Sequence, residues 1–280
     1  MIIYKQYNQE QLDNQYNNRL QVPDFATYLE RWDKLSEVAR EKHTYIQDLK
    51  YGDHPREILD IFPCGKPNAK VLVFIHGGYW QMFDKAMFHF IADAFLPYDI
   101  TTVLINYPLA PAATMDEIVT ACCNAMLWLY QNLAAFNAKP NDVYIAGHSA
   151  GAHLAAMLMC KQWAAEMHVK GICLLSGLYN LIPIQLSNRN EALQMNKETA
   201  IRNSPVQWVA AQTKSLLIAA GAAETDEFKD QSRQFYNNSR NKITSIELLE
   251  LEGINHFSIL DALVNENALL HKAMVGLMSA

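Results

Sequence analysis

The sequence lacks the features that would assign it to a membrane, secreted or nucleic-acid-binding class. No part of its 280 residues approaches the roughly 18 consecutive apolar residues of a membrane helix, and the N-terminus contains no apolar signal core. The chain has no long basic run, and its formal net charge is −6. It therefore lacks the excess of positive charge that binding to nucleic acid or anionic lipid requires. We therefore expect a cytoplasmic protein that binds neither nucleic acid nor a membrane.

Cysteines are few, and their number is odd. The five are Cys64, Cys122, Cys123, Cys160 and Cys173, and their spacing matches no metal site. Cys160 and Cys173 lie in apolar patterns typical of a helix and a strand, which predicts reduced core residues. The chain also lacks a linker, an internal repeat or a low-complexity tract. One domain over residues 1–280 is therefore expected.

Apolar β-type runs alternate with helical patterns along most of the chain. The predicted strands are Glu57–Phe62, Val71–Ile75, Thr101–Asn106, Val143–Ala146, Gly171–Leu175, Ser215–Ala220 and Ile243–Leu251. The predicted helices are Met115–Phe136, Ala150–Trp163, Glu227–Asn238 and Phe257–Glu266. The alternation of strands and helices predicts a mostly parallel α/β sheet. Because the strands are nearly continuous in apolar residues, helices are expected to cover both faces of this sheet.

Two segments depart from the alternation. Residues 1–50 are polar and aromatic, with a predicted helix at Phe25–Arg40, and we expect them to form an N-terminal helical extension. The polar segment Leu178–Ala210 separates two predicted strands. An insertion at that point is expected to lie over the carboxyl ends of the strands as a small cap.

The segment Gly147–Gly151 reads G-H-S-A-G between a predicted strand and a predicted helix. Glycine on both sides of Ser149 permits a sharp turn that exposes the serine hydroxyl at the N-terminus of the helix. Backbone N–H groups at that end favour negative charge. The pattern therefore indicates that Ser149 is a nucleophile.

A glycine-rich loop, His76–Trp80, follows the predicted strand Val71–Ile75. Its paired glycines allow the backbone to approach a substrate closely, as the oxyanion loop of a serine hydrolase must. We expect the backbone N–H groups of Gly78, Tyr79 and Ala150 to stabilise the oxyanion that forms when a serine attacks a carbonyl.

A nucleophilic serine needs a base, and nine histidines are available. His256 lies in the loop Gly253–Phe257, directly after the last predicted strand, and such loops carry the chemistry of parallel sheets. His148 and His153 flank the serine in sequence, where we expect their side chains to point away. His256 is therefore the predicted base.

The acid is expected in the loop Gly221–Glu227, between the serine and the histidine in sequence. Glu224 comes first after the preceding strand and is the preferred residue, with Asp226 as the alternative. Glu227 is expected in the first turn of the next helix, where the helix dipole favours negative charge. The chain order serine, acid, histidine is typical of α/β-hydrolases.

The sequence resembles the arylformamidase (kynurenine formamidase) branch of the α/β-hydrolases, which is related to hormone-sensitive-lipase-type esterases. The resemblance rests on five segments: His76–Gln81, Gly147–Met157, Ser176–Leu181, Arg202–Pro205 and Asn255–Phe257. The sequence departs from the family pattern at Glu224 and Asn180, because relatives often have aspartate at both positions. The first departure keeps Asp226 open as the acid.

The resemblance implies a serine hydrolase with a Ser149–His256–Glu224 triad and with no metal or organic cofactor. Its implied substrate is an N-formyl aryl amide, typically the N-formylkynurenine of tryptophan breakdown. Tyr79, Trp80 and Tyr179 are expected to shape the acyl or aryl pocket.

A general short-chain carboxylesterase is the alternative function, because the catalytic machinery is shared. A protein that binds a small ligand without turning it over is a remote third alternative, disfavoured by a complete set of serine, acid and base. The expected partner is a small ester or amide substrate. The sequence leaves open whether the protein forms a homodimer.

Overall fold

A single mostly parallel sheet organises the fold in the computed structural model, which describes residues 1–160 and 169–279. The eight strands within these residues are β1 (Ile46–Lys50), β2 (Ile58–Phe62), β3 (Ala69–Ile75), β4 (Ile100–Ile105), β5 (Ala138–His148), β6 (Val169–Leu175), β7 (Gln212–Gly221) and β8 (Ile243–Leu251). They lie in the order β1-β2-β4-β3-β5-β6-β7-β8. Strands β1 and β2 pair antiparallel at one edge, β2 is antiparallel to β4, and the remaining pairs are parallel.

Helices flank this sheet. Those that the structure describes are α1 (Gln9–Gln15), α2 (Asn18–Gln21), α3 (Phe25–Lys42), α4 (Phe90–Phe95), α5 (Met115–Asn132), α6 (Ala150–Cys160), α7 (Ile182–Leu186), α8 (Asn190–Leu193), α9 (Lys197–Arg202), α10 (Asp226–Ser239), α11 (Ser258–Val264) and α12 (Leu269–Ser279). The long helix α5 begins at a capping box, in which Thr114 and Glu117 each accept the other's backbone N–H. Across the described residues, no helix combines the length and the apolar character needed to cross a membrane.

An apolar core lies on each face of the sheet. Alternate residues of β3 divide between the two cores: Val71 and Val73 pack with residues of α5 and α6, whereas Leu72 and Phe74 pack with residues of α3, α4, α11 and α12. Burial on both faces explains why the central strands read as continuous apolar runs. The predicted α/β fold with helices on both faces is confirmed.

All seven predicted strands are present, but an eighth, β1, lies in the segment that we assigned to a helical extension. This edge strand contains only Ile46 and Leu49 as apolar residues, and its register shifts between them. The shift breaks the alternation that would have identified it.

Helix ends differ modestly from expectation. The predicted helix Met115–Phe136 is α-helical to Asn132 and continues as a 3₁₀ turn, Leu133–Phe136. The predicted helix Ala150–Trp163 is described to Cys160, and Trp163 lies outside the described residues.

The N-terminal segment contacts the segment predicted to be a cap. Asp13 accepts a hydrogen bond from the backbone N–H of Asn188 at 2.7 Å. The Gln9 side chain donates to the carbonyl of Leu186 at 2.9 Å. These contacts link parts of the chain about 175 residues apart. They bring both segments to the region of the site described next.

Candidate active site

Ser149 occupies a tight turn between β5, which ends at His148, and α6, which begins at Ala150. Its φ is +58°, in the left-handed region that a residue with a Cβ seldom adopts. Its backbone N–H donates to the carbonyl of Leu175, at the end of β6, at 2.8 Å. The turn therefore holds the Ser149 hydroxyl at the carboxyl edge of the sheet.

The glycines that flank this turn allow close backbone contacts. A Cβ on Gly147 would lie 2.2 Å from the carbonyl oxygen of Gly151. A Cβ on Gly151 would lie 2.0 Å from the carbonyl oxygen of Ile75, at the end of β3. Both distances are far below van der Waals contact, and each involves backbone atoms that cannot rotate away.

Substituting Gly151 by alanine is expected to destabilise the fold, because the new methyl group collides with β3. Overpacking of this kind reduces the free energy of unfolding by about 1–3 kcal/mol or more. Gly276→Ala is the matched control: a Cβ at Gly276, within α12, meets no atom within 4 Å. It should raise the unfolding free energy by about 0.5–1 kcal/mol. Urea unfolding measures both, and equal stability of the two variants would contradict the packing argument.

Ser149, His256 and Glu224 form one line of hydrogen bonds. His256 Nε2 lies 3.0 Å from Ser149 Oγ, and His256 Nδ1 lies 2.8 Å from Glu224 Oε2. An ionised carboxylate only accepts hydrogen bonds, so Nδ1 carries the proton and donates to Glu224. Nε2 is then free to accept the Ser149 hydroxyl proton. All three residues are buried.

Glu224 is held by two further donors. Its Oε1 accepts from the hydroxyl of Ser176 and from the backbone N–H of Gly221, both at 2.6 Å. The alternative acid, Asp226, is directed elsewhere: its side chain is 74% exposed and pairs with Lys229 at 3.1 Å. The contact with His256 is therefore made by Glu224, the first acid after β7.

The loop after β3 adopts unusual backbone angles beside the serine. Gly78 has φ +105°, Tyr79 +51° and Trp80 +58°. A Cβ on Gly77 would lie 3.1 Å from Ser149 Cβ, which shows how closely the loop approaches the nucleophile. In residues 1–160 and 169–279, no protein acceptor receives the backbone N–H groups of Gly78, Tyr79 or Ala150. These donors are available to a ligand.

A buried polar network supports this loop from beneath. The Tyr107 hydroxyl donates to the carbonyl of His76 at 2.8 Å, and His76 Nδ1 lies 2.8 Å from the carbonyl of Gly77. Burial lowers the pKa of His76 to about 4, so the ring is neutral near pH 7. His76 Nε2 also lies 3.2 Å from Asn106 Oδ1, which accepts a hydrogen bond from Arg56 at 3.2 Å, so the network connects the loop to Arg56.

His148 was expected to point away from the serine, and the structure corrects this. Its ring centroid lies 4.8 Å from that of His256, and its Nε2–H donates to the His256 carbonyl at 2.8 Å. Burial, followed by the charge of His256, lowers the pKa of His148 well below its ordinary value. A neutral His148 therefore supports the His256 loop. The His153 side chain is fully buried, and its Nε2–H donates to the carbonyl of Asn203 at 2.7 Å.

The serine opens into a cavity whose total empty volume, including open solvent, is about 560 Å³. Its walls are Asn17, Asn18, Arg19, Trp32, Gly78, Tyr79, Met82, Phe83, His148, Ser149, Arg189, His256 and Phe257. Aromatic and aliphatic side chains provide most of this surface. The polar side chains in the wall are those of Asn17, Asn18, Arg19, His148, Ser149, Arg189 and His256.

Sequence reasoning missed the wall that residues 17–19 contribute. The adjacent Tyr16 joins this wall to the rest of the site, because its carbonyl accepts from the Tyr79 hydroxyl at 2.7 Å and from Arg189 Nε at 3.2 Å. No local pattern marks these contacts, since they join residues that are distant in sequence. Only the folded chain identifies Arg19 and Arg189 as site residues.

Of the three aromatic residues expected to shape the pocket, only Tyr79 lines it. Trp80 is fully buried, and its Nε1–H donates to His153 Nδ1 at 3.2 Å. Tyr179 is also buried and stacks on Phe235, with ring centroids 4.3 Å apart. Their positions do not support a direct role for Trp80 or Tyr179 in contacting substrate. Both rings act as core residues behind the site.

Residues 72–215 match a family model described as the alpha/beta hydrolase fold. The chain belongs to this α/β-hydrolase family, and it is a hydrolase. Kynurenine formamidases are among the proteins to which it is similar. It is 31% identical to the kynurenine formamidase of Danio rerio over 250 residues, which cover 86% of this chain and 84% of that protein. It is 27% identical to the kynurenine formamidase of Salmo salar over 98% of both chains.

Esterases are also similar to the chain. The isoprenylcysteine alpha-carbonyl methylesterase of Arabidopsis thaliana is 25% identical over 75% of this chain and 56% of its own length. A solved structure from Silicibacter sp. TM1040, provisionally assigned as a thioesterase, has a TM-score of 0.85 at 25% identity and covers 96% of this chain and 99% of that one. A carboxylesterase from a metagenomic library, at 16% identity, has a TM-score of 0.72 over 92% and 96% of the two chains and shows the shared fold alone.

Proposed function

We propose that the chain is a serine hydrolase that cleaves N-formyl aryl amides such as N-formylkynurenine, with Ser149, His256 and Glu224 as its triad. The observation that carries the proposal is the line of hydrogen bonds from Glu224 through His256 to Ser149, which ends in a cavity beside unpaired backbone N–H groups. Similarity to kynurenine formamidases over most of the chain supports the formamide substrate. A place in tryptophan breakdown and a cytoplasmic location remain predictions.

The first half of the reaction forms a formyl-enzyme. Ser149 Oγ attacks the formyl carbon while its proton passes to His256 Nε2, and Glu224 stabilises the resulting imidazolium. The backbone N–H groups of Gly78, Tyr79 and Ala150 bind the oxyanion, a contribution typically worth about 3–4 kcal/mol for each donor. His256 then gives the proton to the aryl nitrogen, and the C–N bond breaks.

The second half of the reaction releases formate. Water enters where the aryl amine has left, and His256 removes a proton from it as the water oxygen attacks the formyl carbon. Collapse of the second tetrahedral intermediate breaks the bond to Ser149 Oγ, which regains its proton from His256. Every proton transfer uses His256 Nε2, and His256 Nδ1 remains bonded to Glu224.

Formamidase chemistry predicts a preference for the smallest acyl group. Lengthening the acyl group from formyl through acetyl to butyryl on one aryl amine should lower kcat/KM, because the oxyanion loop approaches the serine closely and leaves little space there. Steady-state kinetics on the series, with N-formylkynurenine and a short-chain nitrophenyl ester assayed alongside, provide the measurement. A steady rise in kcat/KM from formyl to butyryl would contradict the proposal.

A short-chain carboxylesterase is the second candidate function. The specific observation in its favour is the similarity to the plant methylesterase. The same triad and the same backbone donors serve an ester, because only the leaving group changes from an amine to an alcohol. The acyl series therefore separates the two candidates by the sign of its trend.

A further inference from the structure

We propose that the cavity contains an anion subsite, in which Arg189, assisted by Arg19 at the entrance, binds a carboxylate on the leaving group of the substrate. The inference rests on the proposed function and deepens it, since it names the residues that make this site favour a leaving group with a carboxylate.

The charge of the cavity wall is the first observation. The lining residues include Arg19 and Arg189 but no aspartate or glutamate. Glu224 lies behind His256 with a fully buried side chain, and its oxygens already bind three donors. The cavity wall is therefore cationic in a protein with a net charge of −6, a local contrast that attracts an anionic ligand.

The second observation is that Arg189 is held in place but has unused donors. Its Nε–H donates to the Tyr16 carbonyl at 3.2 Å, and its guanidinium carbon lies 5.0 Å from the centroid of the Tyr79 ring. The Tyr79 hydroxyl donates to the same carbonyl. Among the described residues, the terminal nitrogens of Arg189 have neither a protein acceptor nor a carboxylate partner. A fixed fork of N–H donors matches a carboxylate.

Tyr79 sets the separation between this fork and the reacting atoms. Its backbone N–H is one of the proposed oxyanion donors, and its ring lies beside the guanidinium group of Arg189. A carboxylate bound by Arg189 would therefore be separated from the scissile carbonyl by about the length of the Tyr79 side chain. Trp32, Phe83 and Phe257 line the cavity as well and offer apolar surface to an aryl group.

Arg19 provides the second charge. Its side chain is exposed, with its guanidinium carbon 5.0 Å from the Phe25 ring centroid and Nη2 at 3.1 Å from Met82 Sδ, a weak acceptor. In the described part of the chain Arg19 forms no ion pair with a carboxylate. From this position it favours the approach of an anion and leaves the direct contact to Arg189.

The test compares matched anionic and neutral substrates. The formamide pair is 3-formamidobenzoate and 3-formamidobenzamide, and the ester pair is 3-acetoxybenzoate and 3-acetoxybenzamide. For each pair, kcat/KM for the anion is divided by kcat/KM for the neutral compound. The ratio cancels any general loss of folding or of serine reactivity, so it reports on charge recognition alone.

Arg189→Gln is expected to lower both ratios about tenfold or more, because it removes a charge-assisted pair of hydrogen bonds. Arg189→Lys should lie between Arg189→Gln and the unaltered protein, since the charge remains and the fork is lost. Arg240→Gln is the matched control, because Arg240 is exposed at the end of α10 and does not line the cavity. It should leave both ratios unchanged.

The outcomes distinguish this inference from the proposed function. Turnover of both formamides with ratios that Arg189→Gln leaves unchanged would overturn the subsite and leave the formamidase proposal standing. No turnover of formamides, with an ester ratio that depends on Arg189, would support the subsite and overturn the formamidase proposal. Inhibition of the unaltered protein by benzoate and by benzamide needs no variant, and benzoate must bind more tightly or the subsite is wrong.

Discussion

Ser149→Ala is expected to lower kcat by about 10⁴-fold or more on every hydrolysable substrate. The substitution removes the only atom proposed to attack the acyl carbon, and it leaves the oxyanion donors and the cavity in place. Residual turnover above the rate in water should therefore persist. The measurement is kcat for N-formylkynurenine and for a nitrophenyl ester, with thermal melts of each variant.

A second serine-to-alanine change provides the control for Ser149. Ser245 is exposed on β8, and Ser245→Ala should retain full activity. If Ser149→Ala retained activity within tenfold of the unaltered protein on all substrates, Ser149 would not be the nucleophile.

Glu224→Gln is expected to have the second largest effect, a loss of about 10⁴-fold in kcat, comparable to the loss when the triad acid of a serine protease is replaced by its amide. Ser176 and Gly221 both donate to Oε1, so the amide oxygen must occupy that position. The amide NH₂ group then faces His256 Nδ1 and donates to it. The proton of His256 must move to Nε2, which can no longer accept the proton of Ser149.

The matched control for Glu224 is Asp226→Asn, two residues later at the start of α10. The Asp226 side chain is exposed and paired with Lys229, so the change should alter kcat by less than about twofold and the melting temperature very little. If Asp226→Asn proved inactive while Glu224→Gln stayed active, the acid would have to be reassigned to Asp226.

The sequence alone was enough to predict that the three candidate triad residues lie close together, because each of them follows an apolar strand. Ser149 follows β5, Glu224 follows β7 and His256 follows β8. Parallel strands end at one edge of a sheet, so residues directly after them converge without any long-range information. The same logic preferred Glu224 to Asp226, since a residue nearer to the strand end is held more firmly at that edge.

The cavity wall was not predictable in this way. Residues 17–19 and Arg189 reach the site through contacts between polar segments, such as that between Tyr16 and Arg189, 173 residues apart in sequence. Trp80 and Tyr179 adjoin predicted site segments, but their rings pack into the core. Sequence position therefore indicated which loops meet at the site. It could not indicate which way each side chain turns, because packing against distant elements decides that.

The left-handed backbone conformation of Ser149 creates a trade-off between thermal stability and turnover. The serine side chain is needed for the reaction, but its Cβ makes this conformation unfavourable. A residue with a Cβ in such a conformation typically costs about 1–3 kcal/mol, whereas glycine adopts it without steric penalty. Selection for heat resistance alone would therefore favour glycine at 149, and that protein could bind its ligand but not attack it. Engineering a more robust form of this enzyme has to begin at positions remote from the turn, such as Gly276.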